Sequence, residues 1–470
     1  MFGAAGLAAD LPGSLMVSDE HAGYVIGSPM SSWSARKATL PLTRSSRIEG
    51  SAQRYCSSAH HRGLLSISMT SATTRTVDEF RNEVRHFFDD VLPTVLDGVE
   101  GTSARAKAWR ASLYEHSLAA LDYPIAFGGR GLGADQMQVW REESRGHIPR
   151  EDAMFGIGVG MAMPTIRDYA SDELKDRFLT PGLRGDDIWC QMYSEPGSGS
   201  DLASLTTKAE LDGDEWIVSG QKVWTSGAQQ SQYAILLART DWDAPKHRGI
   251  TMLILPMEQP GVEVRGLVQM TGVSEFNEVF IDEARVPKDW VIGEVNGGWA
   301  TAVALLGHER QQTGTKSMSG TAESRSKAGR SPIPVAQLRE LAARAGRTHD
   351  PVVRQQLATL YSGEQVVRWI GARGLHPSIG KLWRTKQGRA AAELAAALAF
   401  PGGAAWGTDL EIERNLDDDY FHYHFLNCRG MSLGGGTDEI QRNTLGERAL
   451  GLPREPGVDK NTPFNELPKN

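Results

Sequence analysis

The first long periodic region of the chain begins near Thr76. Between Val77 and Val91 the apolar residues fall three or four positions apart, which predicts an amphipathic helix. Thr76 and Glu79 have the spacing of a capping box, so we expect this helix to begin next to Thr76. Further helical patterns follow after breaks rich in Gly and Pro, at about residues 103–120, 134–146 and 171–179. Together they predict an N-terminal helical domain over residues 71–187.

The pattern changes from helical spacing to alternation near Ile188. Residues 208–211 and 215–218 alternate and are joined by Asp212-Gly213-Asp214, which predicts a β-hairpin. Short runs rich in Val, Ile and Leu predict further strands at residues 233–237, 250–255, 262–265 and 278–281. These runs define a middle β domain over residues 188–292.

Helical spacing returns after the β domain. Helices are predicted at residues 299–316, 335–345, 351–372, 384–399 and 438–449. The polar segment 317–333 between the first two predicts a mobile loop. The C-terminal helical domain therefore covers residues 293–455, followed by a tail over 456–470. The predicted fold class is α+β, in the order helical domain, β domain, helical bundle.

Residues 1–70 differ from the rest of the chain. Segment 29–62 is rich in Ser, Arg and small residues and has no sustained periodicity, which favours a disordered extension over a folded module. Acidic residues in this region weaken a transit-peptide interpretation, and the start lacks the pattern of a secretory signal. Met69 is then a plausible true start of the folded protein.

Composition excludes several classes of function. The 470-residue chain carries a net charge of −8, which argues against a nucleic-acid partner. The chain has no run of 18 apolar residues, so we expect no membrane span. The three cysteines, Cys56, Cys190 and Cys428, lack the spacing of a disulfide framework or a zinc site, so we expect no metal. Their scatter fits a reducing compartment, and we expect a cytoplasmic protein.

Two segments carry the pattern of a cofactor site. The first, residues 194–201, reads Ser-Glu-Pro-Gly-Ser-Gly-Ser-Asp, and the second is Trp224-Thr225-Ser226. Glycines let the backbone approach a ligand, and hydroxyls with unpaired amides suit an anionic group. Trp224 offers a flat π surface, and Ser226 is expected on the same face of a strand. A planar ring with phosphate-like groups predicts a flavin nucleotide.

Several sequence blocks in the expected order resemble the acyl-CoA dehydrogenase family, over about residues 75–455. The blocks are Asp122-Tyr123-Pro124 with residues 127–131, residues 189–201, residues 220–227, Val286-Pro287-Lys288 with Gly297-Gly298-Trp299, and residues 434–442. The resemblance implies a helical, β, helical fold with FAD as cofactor and an acyl-CoA thioester as substrate. It also implies α,β-desaturation, transfer of electrons to a separate acceptor, and assembly into a dimer or tetramer of identical or different subunits.

The resemblance assigns roles to residues of both segments. It implies flavin contacts from six residues: Tyr193, Ser194, Gly199, Ser200, Trp224 and Ser226. Ser194 would bind the pyrimidine edge of the flavin, and Ser226 would contact N5 and the 4-carbonyl. Ser200 would also lie toward the thioester or the pantetheine arm of the substrate.

The base that removes the α proton occupies an altered position. Many family members carry a glutamate where this chain has Gly435, so the base cannot come from that loop. A second subgroup supplies it from the first long C-terminal helix, where this chain has Glu309-Arg310. Glu309 follows the apolar Leu305 by one turn, and burial there would raise its pKa. The alternative is a surface Glu-Arg pair. Gly435 and Gly436 would offer N–H groups to the thioester carbonyl, and Arg310 would orient the helix or the loop around residues 434–437.

The residues that hold the ADP end of FAD also differ from the family pattern. Residues 314–350 lack the Arg-x-x-Phe-Gly of many relatives, which leaves Thr437 and Glu439 as candidates for this end. Such divergence resembles subunits of hetero-oligomeric acyl-CoA dehydrogenases that act on bulky acyl-CoAs, including steroid side chains. Two alternatives therefore remain open: a half-site or non-catalytic subunit, and a flavin monooxygenase or oxidase on the same fold.

Overall fold

The computed structural model describes residues 76–144, 146–313, 332–399, 416–454 and 461–467. All of them belong to one unit, Ala72–Asn470. The predicted disordered extension and nearly all of the predicted mobile loop lie outside the described residues.

Helices form the N-terminal part of this unit. They are α1 Val77–His86, α2 Leu92–Leu96, α3 Thr102–Glu115, α4 Ala134–Glu143, α5 Met163–Tyr169 and α6 Asp172–Arg184. The predicted capping box is confirmed, because the Glu79 N–H donates to Thr76 Oγ1 and the Thr76 N–H donates to Glu79 Oε2. The helix α5 was not predicted, since Met163–Ile166 are buried and its charged residues Arg167 and Asp168 come only at its end.

A mixed sheet forms the middle of the chain. Its strands are β1 Trp189–Met192, β2 Lys208–Asp212, β3 Glu215–Ser226, β4 Tyr233–Arg239, β5 Ile250–Pro256, β6 Val262–Leu267 and β7 Phe276–Pro287. The order is β1-β4-β2-β3-β7-β6, and β5 pairs with β4. The predicted hairpin is confirmed, because Asp212 pairs with Glu215 across a turn in which Gly213 has φ +61°.

Helices return after the sheet. They are α7 Gly298–Thr313, α8 Val335–Arg344, α9 Pro351–Ala372, α10 Pro377–Ala399, α11 Leu416–Asn427 and α12 Asp438–Thr444. The predicted helix at 384–399 starts earlier, at Pro377, which fits proline's preference for a first helical position. The helix α11 was not predicted. The predicted helix 438–449 is α12 followed by a π-helical turn, Leu445–Ala449.

Three large cores matter for the site. Ala302 and Leu305 of α7 are fully buried in a core shared with α5, α6 and strands β4 and β5. Strand β3 packs in a second core of the sheet. A third core lies among the C-terminal helices and includes Leu338, Ala392 and Phe421. Among the described residues no helix is both long and apolar enough to cross a lipid bilayer.

Candidate active site

The two predicted cofactor segments lie side by side. Strand β1 leads directly into Tyr193 and Ser194. The Val223 N–H of β3 donates to the Ser194 carbonyl oxygen at 3.0 Å. Lys222 Nζ donates to the Tyr193 carbonyl oxygen at 3.1 Å, across 29 residues of sequence. The fold therefore brings residues 193–201 next to the end of β3, where Trp224 and Ser226 lie.

A buried ion pair fixes this junction. Lys222 Nζ, which is fully buried, lies 2.9 Å from Glu195 Oε1. The Glu195 carboxylate also accepts the N–H groups of Thr206 and Thr207, at 2.7 and 2.8 Å, and the Thr206 hydroxyl at 2.9 Å. Sequence reasoning did not assign a role to Glu195 or Lys222, although a charged pair within two motifs was a usable signal.

The ionisation of Glu195 follows from these contacts. Burial alone would raise the pKa of its carboxyl, but the Lys222 charge and the hydrogen bonds from Thr207, Lys222 and Thr206 lower it to about 2. A carboxylate held in this way stays ionised and accepts no proton at neutral pH. Glu195 therefore anchors the segment and is not a base.

The turn after Glu195 is closed by backbone bonds and open to solvent on its outer side. The Glu195 N–H donates to the Ser198 carbonyl oxygen, and the Ser198 N–H donates to that of Glu195. A Cβ added at Gly197 or Gly199 would meet nothing within 4 Å. Gly199 and Ser200 are exposed. The backbone here is accessible to a ligand, as the glycines predicted.

Trp224 lies at a bulge of β3. The pairing of β3 with β7 shifts between Lys222 and Thr225, and Trp224 has a left-handed φ of +62°. Its side chain is 56% exposed, with its ring 5.8 Å from that of Phe276 in an edge contact. Ser226 is half-buried and the intervening Thr225 is buried, so Trp224 and Ser226 share the more open side. The bulge itself had no signal in the sequence.

The chemistry of this surface fits a flavin ring. Ser198 Oγ and Thr225 Oγ1 are buried and have no hydrogen-bond partner among the described residues. Buried hydroxyls are normally satisfied, so the Ser198 hydroxyl in the glycine turn leaves a hydrogen bond for a polar ligand, and the exposed Trp224 ring offers a π surface. The partly exposed Ser194 and Ser226 add further donors and acceptors. A planar heterocycle with a polar edge matches this set of groups.

The helix that carries Glu309 is firmly packed up to that residue. Leu305, one turn earlier, is fully buried, and Leu306 packs against the same core. His308 Nε2 lies 3.5 Å from Asp168 Oδ2 of α5, and burial lowers the pKa of His308. The side chains of Glu309 and Arg310 lie outside the described part of the structure. Sequence reasoning did not single out His308.

A polar cluster borders α7 on its N-terminal-domain side. The Arg167 guanidinium packs over the Tyr123 ring at 4.4 Å and donates to Asp168 at 2.6 Å. The Tyr123 hydroxyl has no partner in the described part of the chain, and burial raises its pKa. Through Asp168 this cluster reaches His308, the residue before Glu309.

The loop before α12 is shaped by glycines and held by its helix. Gly435 and Gly436 have φ of +67° and +81°, which non-glycine residues rarely adopt. Gln441 Nε2 donates to the Gly435 carbonyl oxygen at 2.7 Å. The Thr437 hydroxyl oxygen accepts the Ile440 N–H and caps α12, while Glu439 is exposed and pairs with Arg442. The side chains of Thr437 and Glu439, both predicted to bind the cofactor, thus make their contacts within α12 in this structure.

Comparison with known proteins decides the family. The pattern of the acyl-CoA dehydrogenase N-terminal domain matches residues 74–186, and that of the acyl-CoA dehydrogenase middle domain matches residues 190–284. Acyl-CoA dehydrogenase IpdE1 of Mycobacterium tuberculosis is 35% identical over 403 residues, which cover 81% of this chain and 98% of the relative. The chain belongs to the acyl-CoA dehydrogenase family.

Solved structures of family members share the fold. The steroid ACAD Tcur3481-Tcur3483 is 26% identical with a TM-score of 0.63, covering 81% of this chain and 98% of that one. The ChsE4-ChsE5 complex from Mycobacterium tuberculosis contains a chain that is 28% identical with a TM-score of 0.62, covering 83% and 100%. The predicted order of helical domain, β domain and helical bundle is confirmed.

Family membership also confirms the expected enzyme class. This acyl-CoA dehydrogenase is an oxidoreductase acting on CH–CH bonds, and FAD is the cofactor of its family. The residues joined at Ser194, Trp224 and Ser226 fit the ring of that cofactor, and their individual roles are proposals.

Proposed function

We propose that this acyl-CoA dehydrogenase converts an acyl-CoA thioester into the trans-2-enoyl-CoA, with Glu309 as the base. Bound FAD supplies the hydride acceptor, at flavin N5. The observation that carries the proposal is the junction of residues 193–201 with β3, because it brings the partly exposed Ser194 to the end of β3, where Trp224 and Ser226 are open.

We assign the flavin contacts to the residues of this junction. Trp224 packs against the ring, and the hydroxyls of Ser194 and Ser226 bind its polar edge. At Tyr193 and Gly199 the backbone comes close to the cofactor. The Glu195–Lys222 pair holds this segment in place. Thr437 and Glu439 are the candidates for the far end of the cofactor, which requires Thr437 to use its hydroxyl proton while its oxygen caps α12.

We assign substrate binding to residues around the ring site. Ser200 is exposed within residues 193–201, and we assign it to the pantetheine arm of the substrate. The N–H groups of Gly435 and Gly436 polarise the thioester carbonyl, which stabilises charge on its oxygen as the α proton leaves. Arg310 orients this loop.

The assignment of the base rests on the placement of α7. Gly435 carries no side chain, so a carboxylate must come from another element. Glu309 follows the fully buried Leu305 by one turn, on a helix tied to α5 through His308 and Asp168. Burial of this carboxyl would raise its pKa, and a raised pKa suits removal of an α proton.

Replacement of the base tests the proposal. We expect Glu309→Gln to slow bleaching of the flavin by acyl-CoA about 10²- to 10⁴-fold, with FAD still bound. Anaerobic stopped-flow spectroscopy at the flavin bands measures both properties. Glu340→Gln, an exposed glutamate of α8, is the matched control and should bleach at the wild-type rate. Near-normal bleaching in Glu309→Gln would contradict the assignment.

A second candidate function is a subunit that works only within a hetero-oligomeric acyl-CoA dehydrogenase. The missing Arg-x-x-Phe-Gly favours it, because the ADP end of FAD then needs groups from another chain. The similarity to a chain of the ChsE4-ChsE5 complex supports the same idea. The similarity to a steroid ACAD supports a bulky acyl group, such as a steroid side chain, as the substrate class in either case.

A further inference from the structure

A short segment near the C-terminus binds to the β domain. We call residues 461–467 the tail segment and residues 240–249, between β4 and β5, the docking loop. The following hydrogen bonds join them: Phe464 N to Ala244 O at 3.0 Å, Asn465 N to Trp242 O at 3.1 Å, and Asn465 Nδ2 to Asp243 Oδ1 at 2.7 Å. The docking loop therefore receives the tail segment, in which Phe464–Glu466 form a short 3-10 turn.

The aromatic ring of the tail segment covers a buried cation. The centre of the Phe464 ring lies 3.5 Å from Cζ of Arg239, the last residue of β4. Arg239 is fully buried, and burial lowers its pKa to about 10. A desolvated guanidinium gains from a π face and from complete hydrogen bonding. Phe464 closes one side of Arg239 against water.

Arg239 donates hydrogen bonds to the turn at residues 201–205 and to the Lys246 carbonyl oxygen of the docking loop. Its Nη2 donates to the Ala203 carbonyl oxygen at 2.7 Å, and its Nε donates to that of Leu205 at 3.1 Å. Lys246 of the docking loop donates to the Asp201 carboxylate at 2.8 Å and 2.9 Å. The docking loop and Arg239 thus hold residues 201–205 at both ends, directly after Ser200.

We propose that the docking loop is a binding surface for the chain's own Pro-Phe-Asn segment, and that Phe464 is a positioning residue for the acyl-CoA site. By covering Arg239, Phe464 fixes the turn 201–205 and with it Ser200. The Glu195–Lys222 pair holds Tyr193 and residues 206–207 through hydrogen bonds of its own, so we expect flavin binding to persist without the tail segment. The effect on acyl-CoA rests on the proposed function, whereas binding of the segment does not.

Amide hydrogen exchange in the full chain tests the structural part. We expect Phe464→Ala to raise exchange of the amides at residues 202–206 about tenfold, since their local opening becomes easier. Phe464→Tyr keeps the ring and should restore protection. Glu466→Gln changes an exposed tail residue and is the control. Unchanged exchange in Phe464→Ala would overturn the proposal.

A peptide added in trans tests the binding surface. A variant that ends at Arg454 should show the same fast exchange, and the synthetic peptide Asn-Thr-Pro-Phe-Asn-Glu-Leu, with the sequence of residues 461–467, should reverse it. The same peptide with the Phe464→Ala change should not. Equal effects of the two peptides, or no effect of either, would count against a specific surface.

Steady-state kinetics then separates positioning from general destabilisation. In Phe464→Ala we expect KM for the acyl-CoA to rise about tenfold with kcat within about twofold and FAD retained, because only binding contacts are loosened. A fall in kcat at unchanged KM would refute the positioning role. If neither the wild type nor any variant oxidises acyl-CoA, the proposed function fails. The exchange and peptide results still decide whether the docking loop binds the tail segment.

Discussion

At the scale of residues, the candidate site depends on a charged pair that touches no expected ligand. Lys222 is fully buried and Glu195 nearly so, and each satisfies backbone groups of the segment that it holds. A buried pair contributes little net stability compared with apolar residues, but loss of one member leaves an uncompensated charge. The pair therefore sets the position of Ser194 relative to Trp224.

Removal of the lysine alone should be costly. We expect Lys222→Met to destabilise the protein by about 3–5 kcal/mol, because the Glu195 carboxylate stays buried without its cation. Urea unfolding monitored by tryptophan fluorescence gives the value. The double variant Lys222→Met/Glu195→Gln removes the stranded charge and should recover part of the loss. A double variant as unstable as the sum of the single changes would argue against a coupled pair.

The same pair predicts a dependence of stability on pH. The pKa of Glu195 is about 2 in the folded chain, below its value in an unfolded chain, so its stabilisation is present above the unfolded value. It is lost as pH falls from about 4.5 toward 2, and amounts to roughly 3 kcal/mol. The stability difference between wild type and Glu195→Gln should shrink over this range in denaturant titrations. A constant difference between pH 7 and pH 3 would contradict the assignment.

At the scale of elements, α12 and its preceding loop are held by one buried carboxylate. Asp438 is nearly fully buried and accepts hydrogen bonds from Lys381 and Arg389 of α10, at 2.7 and 3.1 Å. It lies two residues after Gly436, one of the two glycines that we assign to the thioester. The packing of α12 on α10 thus determines where those N–H groups point.

Loss of this anchor should loosen the loop. We expect Asp438→Asn to cost about 3 kcal/mol of stability and to speed amide exchange at Gln441, because two cations lose their partner. Glu439→Gln is the stability control, since a surface pair such as Glu439–Arg442 is worth less than about 1 kcal/mol. Equal effects of the two substitutions on unfolding would show that burial of Asp438 adds nothing.

Elements with a strong local pattern were predictable from the sequence. The capping box before α1 and the hairpin of β2 and β3 follow from short-range rules, and both are present. The helix α5 was not predictable, since it has only seven residues, and its buried half, Met163–Ile166, shows no helical period. The bulge at Trp224 depends on the pairing of β3 with β7, a contact between distant parts of the chain.

The candidate site shows the same division. Ser194, Trp224 and Ser226 were recognised because glycine, hydroxyl and aromatic residues cluster in sequence. The Lys222–Glu195 pair and the contact of Phe464 with Arg239 each join residues that are far apart in sequence. Only the fold reveals which of these charges are buried. The sequence of a motif does not show which of its charged residues are buried and which are exposed.

At the scale of the whole molecule, the residues of the proposed site belong to three separate cores. Tyr193 and α7 pack in the core of the N-terminal helices and the sheet, and β3 packs in a second core of the sheet. The loop at Gly435 belongs with the C-terminal helices. FAD bound across such a site links parts of the fold that have their own cores. The affinity of the isolated chain for FAD therefore shows whether one chain supplies enough contacts to hold the cofactor.

Purification of the chain alone tests this directly. Since the proposed ring contacts all come from this chain, we expect a yellow protein with the absorption bands of bound FAD. Ser226→Ala should weaken FAD binding about tenfold, as expected for loss of one hydrogen bond to the ring. Ser362→Ala, on the surface of α9, should retain FAD fully. A colourless chain that gains FAD only when produced with a second acyl-CoA dehydrogenase chain would instead establish the half-site subunit, because the missing contacts would then come from the partner.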